Sequence, residues 1–324
     1  MQTDILIESL KKADQTIIVV RPKEGALLTL QHLLQYLEKE KGNLYQMLLK
    51  HGGILFRGFD INDKEEFLKV KEICAGASNF DYVDGNSPRT KLSDNVYTST
   101  EYPKEYRISL HNEMSYSNKW PGLIFFFCKT PAEEGGETPV LDCRSILKTL
   151  DQDMVKAFEE YGVKYTRCLN GAVGAGKSWM DTFETHDKSV VEDYCKANDI
   201  QFKWDGDFLC LSQLGAGVEV HPLTKEKVWF NQANQFHPSN LPEDIYRALK
   251  MMYSKNKHKY PQYAYFGNDE EIPEQYLSEI TEQHFEQAFM FKWEKGDVLM
   301  LDNMLMAHGR MPFKGDRKIY VSMC

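Results

Sequence analysis

The stretch ISLHNEMSYSNKWPGLIFFFCKTPAEEGGETPVLDCR, residues 108–144, marks the point where the chain turns from polar loops to short β signals. Three strand-like runs, ISLHNEMSY, GLIFFFCKT and TPVLD, are separated by turn-forming sequence such as KTPAEEGGE. Similar segments return later, at residues 227–231, 289–293, 297–301 and 317–323. Strands of this length on both sides of a helical insertion predict a β-sandwich or barrel core with an elaborated lid.

The sequence outside these strands is mostly helical in pattern. Apolar spacing predicts two helices within 27–50, broken near Gly42, a helix at 62–77 capped by Asn62 or Asp63, and helices across 145–200 and 240–256. We therefore expect one domain, residues 1–324, with a helical N-terminal region at 1–50, main β-core strands at 108–144 and 286–324, and a largely helical lid with some core strands at 145–285.

The composition excludes several functional classes. The 324 residues carry a formal net charge of −9 without a basic stripe, which argues against nucleic-acid binding. The seven cysteines are irregularly spaced and include no C-x-x-C pair, a pattern that favours reduced thiols over a disulfide framework or a zinc knuckle. The N-terminus lacks a secretory signal, and the longest apolar stretch, 123–128, is too short to span a bilayer. We expect a cytoplasmic protein that binds no membrane.

Two histidines and a glutamate form the candidate metal site. A non-haem Fe(II) centre that activates O2 needs two imidazoles and one carboxylate on one face of the ion. His111 and Glu113 stand at positions i and i+2, which on a strand point to the same side, and His308 in LDNMLMAHGR supplies a second imidazole from a later strand. A second H-x-E match, His284 and Glu286, lies in helix-like sequence, where positions i and i+2 diverge and cannot chelate one ion.

Around these residues the chain resembles the taurine dioxygenase-like family of 2-oxoglutarate oxygenases, and within it the clavaminate synthase-like branch. The matching segments are ILFRGF (54–59), SPRT (87–90), YTSTEYP (97–103), ISLHNEMSY (108–116), WPGLIFFFC (120–128), GGETPVLDCR (135–144), VWFNQ (228–232) and GDVLMLDNMLMAHGRMPFKGDRKI (296–319). The resemblance covers most of residues 50–324. It implies a mainly β fold with α insertions, built on a double-stranded β-helix, or jelly-roll, core.

The same resemblance implies a set of site residues and cofactors. His111, Glu113 and His308 match the family's Fe(II) ligands, and Thr138 matches a threonine that hydrogen-bonds the co-substrate 2-oxoglutarate. Arg317 matches the arginine that pairs with the distal carboxylate of that keto acid, a role suited to a planar, permanently charged fork. Arg310 competes for this role, but Arg317 lies on strand-like sequence that can cross the core beside the metal.

The resemblance also implies the type of reaction. The expected enzyme is a 2-oxoglutarate-dependent dioxygenase that consumes O2 and hydroxylates an unactivated C–H bond in natural product biosynthesis. Its substrate would be a small amino acid or amino-acid-derived molecule, free or tethered to a carrier protein. Desaturation and cyclisation are alternative outcomes, whereas halogenation is disfavoured because the Glu113 carboxylate fills the position that halogenating relatives leave open for halide.

Three polar residues in segments that resemble substrate-facing loops are the candidate substrate contacts, namely Arg89, Glu101 and Asn231. Some relatives carry a second arginine four residues beyond the keto-acid arginine and use it to bind an anionic substrate. This chain has Val321 at that position, which disfavours a small sulfonate substrate.

A glycine-rich segment offers a rival function. The sequence GAVGAGKS, from Gly171 to Ser178, matches the phosphate-binding loop of nucleotide-binding enzymes. Such a loop needs a preceding strand in a parallel sheet and a following helix, whereas the later chain has an antiparallel β pattern. We therefore expect a glycine-rich loop near the mouth of the active site, and keep nucleotide binding as the alternative from a different class.

Overall fold

Short strands and helices alternate along the chain in the computed structural model, which describes residues 4–12, 15–80, 82–85, 89–93, 96–100, 102–174, 176–253 and 255–324. The strands are β1 (Ile5–Lys12), β2 (Gln15–Pro22), β3 (Gly53–Phe56), β4 (Lys91–Ser93), β5 (Val96–Thr98), β6 (Ile108–His111), β7 (Leu123–Thr130), β8 (Glu134–Gly135), β9 (Val140–Asp142), β10 (Val163–Leu169), β11 (Gln201–Asp205), β12 (Phe208–Gly215), β13 (Val218–Val220), β14 (Lys227–Trp229), β15 (Gln262–Phe266), β16 (Val298–Asp302), β17 (Met306–Arg310), β18 (Phe313–Lys314) and β19 (Lys318–Met323).

The helices occupy the N-terminal region and the segment between β9 and β16. They are α1 (Leu30–His51), α2 (Lys64–Ala75), α3 (Cys143–Ile146), α4 (Gln152–Tyr161), α5 (Trp179–Phe183), α6 (Lys188–Ala197), α7 (Ala233–Phe236), α8 (Glu243–Tyr253) and α9 (Glu274–Gln287), with 3-10 turns at Pro238–Asn240 and Lys257–Lys259. Among the described residues, none of these helices is both long enough and apolar enough to cross a membrane.

Two sheets face each other to form the core. The major sheet has the strand order β1-β2-β3-β16-β7-β19-β5-β4, and the minor sheet has the order β6-β17-β9. Within the major sheet β2 and β3 pair in parallel, while β7 pairs antiparallel with both β16 and β19. The sheets do not close into a barrel, and the architecture is the predicted double-stranded β-helix, mainly β with several helices.

Strand β7 explains the continuous apolar run in the sequence. Phe126 faces the space between the two sheets, whereas Phe125 and Phe127 point the other way and pack under α1 and α2. A strand covered on both faces has no solvent side, so polar residues do not alternate along it. Val298–Asp302 on one side and Lys318–Met323 on the other complete the centre of the sheet.

A third sheet forms most of the lid. Its order is β11-β12-β10-β15, and we refer to these four strands as the lid sheet. Helices α5 and α6 pack on one part of it through a separate apolar cluster that includes Trp179, Val191 and Leu209. The expectation of a largely helical lid therefore understated its β content, because alternating segments such as VKYTRCL and FLCLSQLG pair with one another across long sequence separations.

The N-terminal region corrects the expectation of helix throughout residues 1–50. Residues 5–12 and 15–22 form the antiparallel strand pair β1–β2, which extends the edge of the major sheet, and helix starts only at Leu30. Strand β2 is favoured by the β-branched run in QTIIVVRP. Helix α1 also runs unbroken through the exposed Gly42, because Leu37 and Leu44 on either side are both buried in the same apolar cluster.

The expected strand at 289–293 is also wrong. Phe289 makes a single bridge to Val140, and no ladder continues along this segment within the described chain. Phe289, Phe291 and Trp293 are buried in alternation, so the segment has the side-chain pattern of a strand without its backbone partners.

The predicted helix at 62–77 is confirmed as α2, where the backbone N–H of Glu66 donates to the Asp63 carboxylate as an N-cap.

His284 on α9 should make stability depend on pH. Burial lowers its pKa to about 4, so between that pH and the unfolded value of about 6.5 only the unfolded chain takes up the proton. Stability is therefore lost as the pH falls. We expect His284 to account for about 2 kcal/mol of the stability lost between about pH 7 and about pH 5.

Urea unfolding at those two pH values tests this expectation. His284→Gln should lose less stability on acidification than wild type, while the exposed His186→Gln provides the matched control. An equal loss of stability in wild type and His284→Gln would contradict the assignment.

Candidate metal centre

The pairing of β6 with β17 brings the two predicted histidine ligands together. His111 lies directly opposite His308 in the antiparallel register, and their ring centroids are 4.6 Å apart. Glu113 lies just beyond the end of β6, in a turn, rather than on the strand itself as expected. The turn nevertheless returns its carboxylate to the histidines, and potential ligand atoms of all three residues lie within 4.8 Å of one another.

The unsatisfied polar atoms of this site fit a divalent iron ion. Within the described chain, His111 Nε2 is buried and has no hydrogen-bond partner, and His308 Nε2 lies 3.8 Å from a carboxylate oxygen of Glu113. His111 Nδ1 lies 2.9 Å from the Ser109 carbonyl oxygen, an arrangement that places the proton on Nδ1 and leaves Nε2 free as a ligand. Burial lowers the pKa of both histidines, which favours the neutral imidazole that metals bind. Two imidazoles and one carboxylate suit Fe(II).

Asn303 fixes the turn that carries Glu113. Its side-chain oxygen accepts a hydrogen bond from the Glu113 N–H at 2.8 Å, and its amide nitrogen donates to the Glu113 carbonyl at 3.0 Å. The same amide donates to the Pro121 carbonyl, and Asn112 donates back to the Asn303 carbonyl at 2.6 Å. This reciprocal set holds the carboxylate ligand against the strand that carries His308. It also supports Met114, which adopts the left-handed φ of 56°.

Two further side chains hold the Glu113 carboxylate. The Tyr82 hydroxyl donates to one carboxylate oxygen at 3.1 Å, and the Arg89 guanidinium donates to the other at 2.5 Å. The Arg89 side chain is 3% exposed, and its guanidinium lies over the Tyr82 ring. Within the described residues its Nε and its remaining terminal nitrogen are buried and have no partner, and the residue lines the cavity beside the candidate metal site.

A buried ion pair anchors the loop that contains Tyr82. Arg167, on β10 of the lid sheet, donates to the Asp84 carboxylate at 2.7 Å and to the Asp84 carbonyl at 3.2 Å. Both side chains are almost completely buried, at 2% and 0% exposure. The Tyr116 hydroxyl also donates to the Asp84 carbonyl. The lid sheet thus positions residues 82–85, and through Tyr82 it positions Glu113.

The structure around residues 171–178 excludes a phosphate-binding loop at this segment. Strand β10, which precedes the loop, pairs antiparallel with both of its neighbours, and the following helix α5 has only five residues. The Lys177 ammonium donates to the Gly85 carbonyl, and the Ser178 hydroxyl caps α5. The lysine and serine that would bind phosphate and magnesium instead support the lid and the 82–85 loop. The nucleotide-binding alternative is therefore wrong.

Thr138 and Arg317 lie together in the cavity next to the histidines. Arg317 donates to the Gly136 carbonyl at 2.9 Å, to the Ser99 hydroxyl at 3.3 Å and to the Thr138 hydroxyl at 3.4 Å. All three acceptors are uncharged, and burial lowers the pKa of Arg317 to about 10. The cavity is lined by Arg89, Ser99, Thr100, Ile108, His111, Phe126, Thr138, His308, Gly309, Arg310, Arg317 and Ile319.

Arg310 has a different environment from Arg317. Its guanidinium donates to the backbone carbonyls of Tyr102, Pro103 and Tyr106, which ties the preceding loop to β17. A guanidinium occupied by backbone carbonyls has fewer donors available for a ligand. Of the two candidate arginines, Arg317 therefore retains more capacity to bind a carboxylate.

Of the other predicted substrate contacts, Asn231 does not reach the candidate metal centre. Asn231 donates to the Gly217 carbonyl and accepts from the Ala233 N–H, so its amide supports backbone next to α7 and does not line the cavity. Glu101 lies outside the described residues. His284 is buried on α9 and Glu286 is exposed there, which confirms that this pair cannot chelate one ion.

Four residues of the site escaped the sequence analysis, namely Tyr82, Asp84, Arg167 and Asn303. Each acts through a contact across a large sequence separation, up to 190 residues for the Asn303–Glu113 pair. The position of Asn303 beside the His308 segment was a usable signal, since an asparagine in LDNM can bond to backbone from a turn. Asp84 and Arg167 offered no comparable signal, because an isolated charge in a loop or strand is usually solvated.

Replacement of Asn303 should weaken metal binding. Asn303→Ala removes three hydrogen bonds that position Glu113 and Pro121, and we expect Mn(II), a redox-stable substitute for Fe(II), to bind about 10- to 100-fold more weakly. Calorimetric titration measures the affinity. Asn198→Ala, which removes another buried amide far from the site, is the matched control and should bind Mn(II) like wild type. Unchanged affinity in folded Asn303→Ala would contradict this role.

Comparison with known proteins identifies the relatives of this chain. The family model described as "Taurine catabolism dioxygenase TauD, TfdA family" matches residues 20–323. Dapdiamide synthesis protein DdaC of Enterobacter agglomerans is 37% identical over 279 residues, which cover 86% of this chain and 83% of that protein. A clavaminate synthase-like protein of Arabidopsis thaliana is 28% identical over 322 residues, which cover 94% and 92%.

A solved structure shares the fold. PvcB of Pseudomonas aeruginosa, described as an Fe, alpha-ketoglutarate dependent oxygenase from an isonitrile synthetic pathway, superimposes with a TM-score of 0.56 at 14% identity and covers 99% of this chain and 91% of its own. The match extends over both sheets and the lid. The chain therefore belongs to the TauD, TfdA family and is an iron- and 2-oxoglutarate-dependent dioxygenase.

Proposed function

We propose that this dioxygenase hydroxylates an unactivated C–H bond of a free amino acid, or of a small amino-acid-derived acid, in the biosynthesis of a natural product. The buried Arg89 guanidinium beside the metal ligands carries this proposal, because two of its nitrogens lack partners within the described residues. Buried N–H donors of an arginine match a carboxylate. The similarity to a dapdiamide synthesis protein supports a biosynthetic role, and the proposed setting is the cytoplasm.

The residues at the centre receive the following roles in this proposal. His111, Glu113 and His308 would hold Fe(II), while Arg317 and Thr138 would bind the distal carboxylate of 2-oxoglutarate. Bound iron supplies the activation of O2 and the oxidative decarboxylation of the keto acid that drives C–H oxidation. Arg317 offers a buried charge surrounded by neutral oxygens, which favours an incoming anion. Phe126 packs edge-on against His308 and helps to exclude water.

Glu113 favours hydroxylation over halogenation. Tyr82, Arg89 and Asn303 hold this residue by its carboxylate and its backbone, so the ligand position is filled by a fixed group. A carboxylate that is held from both oxygens does not easily give way to a halide. Desaturation and cyclisation use the same metal ligands, and product analysis distinguishes them from hydroxylation.

Arg89 also bears on the form of the substrate. A free amino acid presents an α-carboxylate, whereas the same unit on a carrier protein is a thioester without that charge. Arg89, which carries two unpartnered donors, lines the same cavity as His111 and His308, so a carboxylate bound to it would place the substrate next to the iron. A free acid therefore fits the charge of this site better than a carrier-bound thioester.

Arg317 should control the affinity for the co-substrate. Its loss in Arg317→Met removes a charged hydrogen-bonding group, worth about 1.5–3 kcal/mol, so we expect 2-oxoglutarate to bind at least about 10-fold more weakly. Anaerobic titration of the Fe(II) enzyme, followed by its visible charge-transfer band, measures this affinity. Arg317→Lys keeps the charge but loses the planar guanidinium, so its affinity for 2-oxoglutarate should lie between those of wild type and Arg317→Met. His308→Ala should show no band. Wild-type affinity in Arg317→Met would exclude this role.

Arg89 should control the affinity for the primary substrate. Free amino acids and their pantetheine thioesters are screened for substrate-dependent succinate formation, and we expect a free acid to be accepted. For that acid, Arg89→Met should raise KM about 10- to 100-fold, since it removes a charged hydrogen bond, with a smaller increase in Arg89→Lys.

The controls separate substrate binding from metal binding. Because Arg89 also contacts Glu113, the Mn(II) affinity of each variant is measured beside its KM. Turnover of thioesters alone would reject the free-acid substrate in favour of a carrier-tethered one. An unchanged KM in Arg89→Met would reject Arg89 as the substrate anchor.

A further inference from the structure

Two cysteines of the lid sheet lie directly opposite each other on adjacent strands. Cys168 on β10 is paired with Cys210 on β12 in the antiparallel register. The Cys168 N–H donates to the Pro261 carbonyl at 3.2 Å, on the β15 side of the strand. Because the backbone groups of Cys168 point toward β15, its pairing with Cys210 is of the non-hydrogen-bonded type.

This type of pairing has the geometry that a disulfide requires. Directly opposite residues in a non-hydrogen-bonded pair have Cα atoms about 4.5 Å apart and the closer side chains of the two pair types. That separation falls within the range of about 4.4–6.8 Å observed for disulfides. The two side chains also lie on the same face, because the neighbouring Leu209 and Leu211 are the residues of β12 buried in the opposite cluster.

The two thiols differ in their surroundings. Cys168 is 4% exposed, whereas Cys210 is half-buried and its thiol lies 3.9 Å from the His258 carbonyl oxygen. The neighbouring Cys168 thiol lowers the pKa of Cys210. Lys203 on β11 is paired with Cys210, and the ammonium of Lys259 also lies nearby, where it pairs with Asp205 at 2.8 Å. Cys210 is the more accessible of the two thiols and the one whose pKa is lowered, so it is expected to react first.

We propose that Cys168 and Cys210 form a redox-active dithiol, which hydrogen peroxide oxidises to a reversible cross-strand disulfide. The Cys210 thiolate attacks one peroxide oxygen, the O–O bond breaks, and a sulfenic acid and water result after proton transfer. The Cys168 sulfur then attacks the Cys210 sulfur, and the sulfenic oxygen leaves as a second water. Two thiols and one peroxide thus give one disulfide and two waters, and a thiol reductant reverses the reaction.

The position of the pair links oxidation to the lid. Cys168 follows Arg167, whose buried ion pair with Asp84 positions the 82–85 loop. A covalent bond between β10 and β12 also closes the intervening segment, which contains α5, α6 and the glycine-rich loop. Cross-linking limits the opening of the enclosed segment, so oxidation should slow amide hydrogen exchange along these two strands.

Peptide mass spectrometry tests the proposal on the full-length, iron-free protein. After treatment with equimolar peroxide and alkylation of the remaining thiols, we expect a linked pair of peptides that contains both cysteines, lacks two hydrogens and disappears on reduction. Slower exchange of β10 and β12 amides in the same sample is the second readout. The half-buried Cys74 on α2 provides the control: Cys74→Ser should form the link like wild type.

Substitution of either cysteine should prevent the disulfide. Cys210→Ser should give no link, and Cys168→Ser should leave a sulfenic acid at Cys210 that dimedone traps. The wild-type result needs no substitution, so a variant that fails to fold does not affect it. Full alkylation of Cys210 after peroxide treatment, or its over-oxidation without a link to Cys168, would overturn the proposal.

Discussion

The candidate metal centre depends on the antiparallel pairing of β6 with β17, which sets His111 opposite His308. Register alone brings these two proposed nitrogen ligands together, because a one-residue slip would turn either imidazole to the other face of the sheet. The third ligand needs more than register, since Glu113 lies past the end of its strand and next to a residue with a left-handed φ. Asn303 fixes the position of Glu113. From the connection that leads into β17, its side-chain amide hydrogen-bonds both the N–H and the carbonyl of Glu113.

The lid sheet also helps to position Glu113. Arg167 extends from the lid sheet to Asp84, and the loop held there carries Tyr82 to the Glu113 carboxylate. Removing a charge from water is costly unless the charge is paired and hydrogen-bonded, so the loss of either partner of the Arg167–Asp84 pair should disturb the whole set of contacts. The proposed ligand Glu113 is therefore supported from two directions, by Asn303 within the core and by Tyr82, whose loop the lid sheet holds, together with Arg89.

The sequence was informative where chemistry or burial leaves a local pattern. The i and i+2 spacing of His111 and Glu113 and the apolar run of β7 both followed from neighbouring residues. His308 followed from its place in a later strand-like segment, and the family resemblance added Thr138 and Arg317. The N-terminal strand pair β1–β2 was missed because its pairing with the edge of the major sheet is non-local.

Residues whose role depends on distant partners could not be assigned in this way. Asn231 was chosen for its place in a family-like segment, yet its amide serves the adjacent backbone. The match to a phosphate loop failed for a related reason, since eight residues do not specify whether the preceding strand has parallel or antiparallel neighbours.

The buried charge of Arg317 affects the stability of the enzyme when no 2-oxoglutarate is bound. A cation kept among neutral oxygens opposes folding, and an anion that binds there relieves this opposition only in the folded state. With the role proposed for Arg317, occupancy by the keto acid and the free energy of unfolding of the protein are therefore thermodynamically linked. Starvation for 2-oxoglutarate should slow catalysis and, independently, shorten the survival of the enzyme, so that its abundance follows the supply of its own co-substrate.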